Sequence, residues 1–412
     1  MTLAEQAVST TVIPYSVSGG LTHDGTTGAI RVVCELRIET ETRVTVALFN
    51  PDNPALASAY EGAQRVVVVV AEDLRKTLGP RIESYFTTRA IPVLFIECPS
   101  SESEKTMASV MGLLRALGAD GARVSRDERV LVVGGGVVAD VAGLACALLH
   151  RRTPYVMVGT SVVSAIDAGP SPRTCVNADQ FKNSAGVYHP PVVAFADPTL
   201  LETLASKHVR HGVAEIVKMA LVDDIDLLEK IEEHGTALIE TKFQMPHAPR
   251  DLASAILHAA LVSYLRHEGP NYFEVHQSRP HAFGHTWSPG FERPLGLMHG
   301  HAVSIDMALT SAISVEKGLL AQSDLVRQIR LFQALGLSVL HPGLHDGALL
   351  ISAQAAIQEK RGGVSLMAPA PALGLGRCQY LDEVSEPELF AAMERIGSLL
   401  GSSDGVGLEA FL

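Results

Sequence analysis

The sequence predicts an α/β domain of dinucleotide-binding type, residues 1–197, followed by a mostly α-helical domain, residues 198–412. Three observations predict it. Apolar, β-branched runs alternate with helical patterns through the first half. A triple glycine, Gly134-Gly135-Gly136, joins one of those runs to a helix. After about Pro198 the texture becomes helical, with hardly a strand between the helices.

The elements follow in order. Residues 30–48 alternate, as in Arg31-Val-Val-Cys-Glu-Leu-Arg-Ile38, and read as an antiparallel ribbon. Residues 65–71 read as a buried strand and 72–86 as a helix; 91–96 form a second strand and 104–117 a second helix. A third strand, 129–133, runs into the triple glycine and a helix to about His150, and 155–158 form a fourth strand. Strands without polar alternation indicate a parallel sheet covered on both faces. The second half carries helices at 207–219, 226–234, 251–266, 303–317, 323–335 and 386–400. Residues 100–105 and 402–407 are polar loops, the latter near a terminus expected to fray.

Composition narrows the function. In 412 residues, 33 basic side chains face 45 acidic ones, a net charge of −12 that argues against a nucleic-acid partner. A local basic cluster can still oppose that sign and hold an anionic small molecule. The longest apolar stretch, around residues 66–71, is far short of the roughly 18 residues a membrane span needs. Five scattered cysteines without a C-x-x-C pair suit reduced thiols. Residues 1–16 lack the basic-then-apolar pattern of a secretory signal. A soluble cytoplasmic protein is the expectation.

Two places carry chemistry. Gly134-Gly-Gly136-Val-Val-Ala-Asp140 can bring backbone N–H groups against a pyrophosphate at a helix N-terminus, or it can simply be a tight strand-to-helix turn. No acidic residue stands cleanly about twenty positions on, so the ordinary dinucleotide fingerprint is incomplete. In Gly212-Val-Ala-Glu215-Ile-Val-Lys218 a carboxylate and an ammonium share one helix face, as a surface ion pair or as a partly buried one. Phe283-Gly-His285-Thr-Trp-Ser-Pro289 and Met298-His299-Gly-His301 place histidines beside glycines. With Glu215 they could form a Glu/His/His zinc set that leaves a position open for substrate. Spacing alone does not separate these histidines from His281 and His301.

Taken together and in order, these pieces resemble the sugar phosphate cyclases, the superfamily headed by dehydroquinate synthase. The resemblance runs from about residue 60 to 385 and includes Asp167-Ala-Gly169, Thr174-Cys-Val-Asn177, Lys182-Asn183 and Gly284-His285-Thr-Trp-Ser-Pro289. It implies an NAD- and Zn²⁺-dependent enzyme, with Co²⁺ as an alternative ion, acting on a small-molecule sugar phosphate as a homodimer. The implied sequence is oxidation of a hydroxyl by NAD⁺, phosphate elimination, return of the hydride and intramolecular aldol closure. Glu215, His285 and His299 match the metal-ligand positions. Lys182, Lys218, Asp167, Asn177, Arg173, Asn183 and Arg279 match catalytic or substrate positions, and Lys360 or Arg361 supplies a late basic residue. Glu102, Lys105, Gly134, Gly135, Gly136, Asp140, Thr160, Ser161 and Lys182 match NAD-contacting segments.

The departures refine the resemblance. Dehydroquinate synthases carry a second His where this chain has Pro289, and Glu where it has His301; both changes resemble the branch that cyclises sedoheptulose 7-phosphate to C7 cyclitols. In Pro170-Ser-Pro172-Arg173, arginine replaces the lysine usual in 2-epi-5-epi-valiolone and desmethyl-4-deoxygadusol synthases, and a rigid fork is no copy of a mobile ammonium. Within the resemblance, that leaves 2-epi-valiolone synthase as the expected subtype. The rival readings are those two synthases, a metal-dependent polyol dehydrogenase that would release NADH, and an NAD-binding relative without activity.

Overall fold

The structure, a computed structural model, describes residues 15–24, 26–178, 181–245, 251–363 and 365–400. The reading of residues 402–407, and most of that of 1–16, lies outside the described residues. The chain divides into two compact units: residues 1–160 with 168–196, and 161–167 with 197–412. The short segment 161–167 thus packs with the helical unit, although it precedes the last strand of the sheet.

The first unit opens with an antiparallel ribbon, β1 (Tyr15–His23) and β2 (Ile30–Ile38), as the alternation predicts. Six further strands make a wholly parallel sheet: β3 (Glu41–Val44), β4 (Val66–Ala71), β5 (Val93–Cys98), β6 (Val130–Gly134), β7 (Tyr155–Gly159) and β10 (Val193–Ala196). Their order is β3-β10-β7-β6-β4-β5. The five valines of β4 are all buried, which only a sheet covered on both faces allows. Helices α1 (Arg75–Thr87), α2 (Met107–Leu117) and α3 (Gly136–Leu148) provide cover; Val138, Val141 and Leu144 of α3 join Val130, Val132 and Met157 in one core.

One ribbon escaped the sequence reading. β8 (Arg173–Ala178) and β9 (Phe181–Tyr188) pair antiparallel between β7 and β10. Polar residues such as Arg173, Asn177, Lys182 and Asn183 hide any apolar alternation there.

The second unit contains α4 (Ser206–Asp223), α5 (Ile225–Thr241), α6 (Leu252–Glu268), α7 (Ser288–Phe291), α8 (His299–Glu316), α9 (Gln322–Ala334), α10 (Ala348–Lys360) and α11 (Glu386–Leu400). Several run longer than their apolar periodicity suggests, and α8 begins four residues early, so His299 and His301 lie in its first turn. Helix α10 adds to the expected helices, and a small hairpin, β11 (Ala368–Pro371) with β12 (Cys378–Leu381), corrects the expectation of hardly a strand. β11 reads Ala-Pro-Ala-Pro, and proline normally argues against a strand; a two-stranded hairpin tolerates the missing donors. Among the described residues no helix is long and apolar enough to cross a membrane. All five cysteines are free.

Candidate metal and substrate site

The predicted residues fall into two clusters, one in each unit. In the first, Gly134 ends β6 and Gly135 precedes α3. A Cβ on Gly134 would lie 2.5 Å from the Val138 Cβ, so the turn itself excludes a side chain there. Gly136 differs. A Cβ on it would meet only Ala168, at 3.8 Å, so packing does not demand glycine, whereas a closely approaching pyrophosphate would. The turn therefore fits a dinucleotide. The Thr160 N–H donates to the Gly134 carbonyl at 3.0 Å and holds the end of β7 beside it.

A polar network adjoins this turn in sequence. Lys105, 5% exposed, puts Nζ 2.6 Å from Asp140 Oδ2 and donates to Asn183 Oδ1 at 2.6 Å. Burial opposes its charge, but Asp140 prevails and raises the Lys105 pKa. The Asn183 N–H donates to Asn177 Oδ1 at 2.9 Å, and Asn177 Nδ2 donates to Glu102 Oε1 at 3.0 Å. Glu102, Lys105 and Asp140 thus join Asn177 and Asn183 in one set. Asn183 has φ +53°, a left-handed conformation the network holds in place. Lys182 is exposed on β9. Arg173 Nε donates to Ser171 Oγ at 2.9 Å, tying the guanidinium to the Pro170–Pro172 loop.

In the second unit Glu215 and Lys218 are each 2% exposed: the pair is a buried one, not a surface ion pair. Lys218 Nζ contacts Glu215 Oε2 and lies 3.9 Å from Asp167 Oδ2. Glu215 Oε1 faces two imidazoles, His299 Nε2 at 3.2 Å and His285 Nε2 at 3.8 Å. Neither carboxylate oxygen has an aligned hydrogen bond, although both are buried. One ligand atom from each of Glu215, His285 and His299 lies within 4.8 Å of the others. Polar atoms converging without bonding one another leave room for a cation between them, and one carboxylate with two imidazoles suits Zn²⁺.

The supports point the same way. His285 Nδ1 donates to the Phe283 carbonyl at 3.1 Å, and His299 Nδ1 donates to Glu292 Oε2 at 2.8 Å, so both rings turn Nε2 inward. Gly284 has φ +73°, and a Cβ there would strike Val303 and Met307 of α8 at 2.8 Å, so only glycine lets the His285 loop press against that helix. Asp306 of α8 fastens the same loop, accepting the N–H groups of Trp287 at 2.6 Å and Ser288 at 2.7 Å.

Nearby, Arg279 pairs with Glu274, while its buried Nε has no hydrogen-bond partner among the described residues. Burial and then the Arg279 charge hold the Arg361 pKa below its ordinary value. Lys360, by contrast, is exposed. His301 is tied to Ser338 Oγ at 2.8 Å, and His281 lies against Tyr264 and His267; neither joins the triad. Glu292 and Asp306 were not legible as site residues. The only trace of Asp306 in the sequence is a charged residue amid a small, apolar helical stretch.

Comparison with known proteins decides the family. Residues 95–211 match the 3-dehydroquinate synthase N-terminal family and residues 212–357 its C-terminal counterpart. The chain belongs to the dehydroquinate synthase-like sugar phosphate cyclases. This cyclase is 35% identical over 379 residues to a 2-epi-5-epi-valiolone synthase from Streptomyces hygroscopicus subsp. jinggangensis, covering 90% of each chain. It is 32% identical to a demethyl-4-deoxygadusol synthase from Trichormus variabilis, covering 87% of each. The solved structure of the Streptomyces enzyme with NAD⁺ and Zn²⁺ bound superposes with a TM-score of 0.81 at 34% identity, covering 88% of this chain and 98% of that one.

The electrostatics of the cyclase triad predict how it takes up metal. Burial alone would lower His299, but the Glu215 and Glu292 carboxylates prevail and push it up to about 9. Burial and then Lys218 push His285 down to about 4. A metal needs both rings neutral, so at pH 7 only His299 must lose its proton. Zinc uptake at pH 7 is expected to release about one proton, and affinity to fall about tenfold per unit as the pH drops below 9. Calorimetry in buffers of different ionisation enthalpy reads this; heats independent of buffer would contradict it.

Proposed function

We propose that this chain is a sedoheptulose 7-phosphate cyclase that uses NAD and Zn²⁺, or Co²⁺, to make a C7 cyclitol with release of phosphate, working as a cytoplasmic homodimer. One observation carries the reading. A buried carboxylate and two imidazoles, each ring oriented by its own acceptor, converge around a point beside the Lys218–Asp167 pair. The relatives acting on C7 sugars and the Zn²⁺ and NAD⁺ of the Streptomyces enzyme support the same conclusion.

When bound, NAD would accept and return a hydride and the divalent ion would polarise substrate oxygens. The residues of the chain bind and orient. Glu215, His285 and His299 would hold the ion. Arg279 and Arg361 would seat the phosphate, which balances their mutual repulsion. Lys218, held by Glu215 and Asp167, would stand at a fixed point beside the reacting carbons. Lys105, Asp140, Asn177 and Asn183 would form a rigid polar surface toward the cofactor.

The product proposed is 2-epi-valiolone, because Arg173, leashed to Ser171, presents a fixed fork where the relatives' branch uses lysine. The test is incubation with sedoheptulose 7-phosphate, NAD⁺ and Zn²⁺ or Co²⁺. Stoichiometric inorganic phosphate, no net NADH and a cyclitol identified by NMR are expected. Accumulating NADH would favour a polyol dehydrogenase. No phosphate from any heptulose phosphate, with the metal site filled, would reject the cyclase reading. A 2-epi-5-epi-valiolone product would correct the subtype alone.

A further inference from the structure

Neutral histidine always carries one N–H and one lone pair, so a buried imidazole ordinarily has a partner for at least one of them. His281 has neither. Both ring nitrogens are buried, and no hydrogen-bonding group of the described residues reaches them. The turn Pro280–Ala282 packs against α4, which bears Glu215 and Lys218, and against α6. Tyr264 and His267 of α6 flank the ring, with centroids 5.2 Å and 5.3 Å away, but these ring contacts satisfy no nitrogen.

Asp223 and Lys218, two of the groups that act on His281, are committed elsewhere. Asp223 accepts from His267 Nε2 at 2.6 Å and from Arg266 Nη1 at 2.9 Å. Lys218 is held between Glu215 and Asp167. Lys218, Asp167, His267 and Asp223 all act on His281 electrostatically, and the turn that carries it packs on the helix that bears Lys218. Burial, and then the Lys218 charge, push the imidazole down to about 3, so it remains neutral throughout the working range.

We propose that His281 hydrogen-bonds a hydroxyl of the sugar phosphate bound beside Lys218 and Asp167, and thereby helps to select the polyol chain. The inference rests on the cyclase reading and adds a residue to it. A neutral imidazole offers one donor and one acceptor, the complement of an alcohol. A phosphate dianion calls instead for charged donors, which Arg279 and Arg361 provide. His281 is a specificity contact under this proposal, and no proton transfer is assigned to it.

The experiment compares His281→Leu and His281→Gln with the wild-type holoenzyme, measuring phosphate release from sedoheptulose 7-phosphate, metal content and Tm. The leucine variant is expected to lose about tenfold in kcat/KM, mainly through KM, with metal content and Tm not lowered. Removing unsatisfied nitrogens costs the fold nothing, whereas a structural histidine would take Tm and metal down with activity. Glutamine, which keeps a donor and an acceptor, is expected to recover part of the loss. Unchanged kcat/KM in the leucine variant, or a loss that tracks Tm and metal content, would overturn the proposal. Should that variant not fold, His281→Asn carries the same test, its shorter amide falling short of the hydroxyl; unchanged kcat/KM in it overturns the proposal equally. If wild type releases no phosphate from any heptulose phosphate, the functional reading falls; if only the variants fail to differ, this inference falls alone.

Discussion

Replacing Glu215 by alanine is expected to empty the metal site and to lower phosphate release at least about a thousandfold. Two effects coincide in this carboxylate. It faces both imidazoles, so its loss leaves an ion with two ligands from the chain. It also pairs with Lys218, and both side chains are only 2% exposed. An ammonium stranded in that position keeps only Asp167, 3.9 Å away, among the carboxylates of the described residues, and a broken buried pair costs about 3–5 kcal/mol. The double variant Glu215→Leu/Lys218→Met removes both charges and is expected to recover most of the stability and none of the activity. Metal analysis and denaturant unfolding separate the two effects. Full metal content in Glu215→Ala would exclude this residue as a ligand.

Asp306→Ala is expected to have the second-largest effect, without touching the metal. Asp306 reaches from α8, whose first residue is His299, to the backbone two and three residues beyond His285. One carboxylate thus ties the His285 loop to the helix that begins at His299. Its removal leaves two buried N–H groups unsatisfied, about 2–5 kcal/mol, and frees the His285 loop, so Zn²⁺ affinity should fall about 10- to 100-fold. Competition with a chelator reads the affinity; an unchanged value with a lowered Tm would reduce Asp306 to a structural role. Burial pushes this carboxyl up to about 6 despite the N–H bonds that lower it. Its folded pKa exceeds the unfolded one, so its contribution to stability is full below about pH 4 and declines as the pH rises through about 6. Asp306→Asn cannot ionise and is expected to flatten that part of the profile in unfolding measurements.

Much of the fold was legible because its signals are local. The valine run of β4 and the apolar runs of β6 and β7 show a covered parallel sheet within a few residues each. What was missed depends on a partner segment rather than on the run itself. β8 and β9 stabilise each other, and the prolines of β11 become tolerable only beside β12. In the site, the residue types and their order suggested Glu215, His285 and His299, but not the burial of the Glu215–Lys218 pair, which is set by neighbours on other elements. Glu292 and Asp306 left hardly a trace, since a supporting carboxylate needs no fixed spacing from the histidine or loop it serves. His281 was indistinguishable from a ligand by spacing; only its surroundings show it apart from the triad and without a hydrogen-bond partner among the described residues.

The sequence by itself determined the chemistry available: the glycine turn, the carboxylate and imidazoles, the basic residues, and the order that matches one family. Periodicity and motif order are properties of neighbouring residues, so they survive without coordinates. Tertiary structure alone decided which histidines face Glu215, which arginine stands by Arg279, and which polar atoms are left unsatisfied. Those outcomes follow from distance and desolvation between residues up to about a hundred positions apart, and packing creates both only when the chain closes on itself.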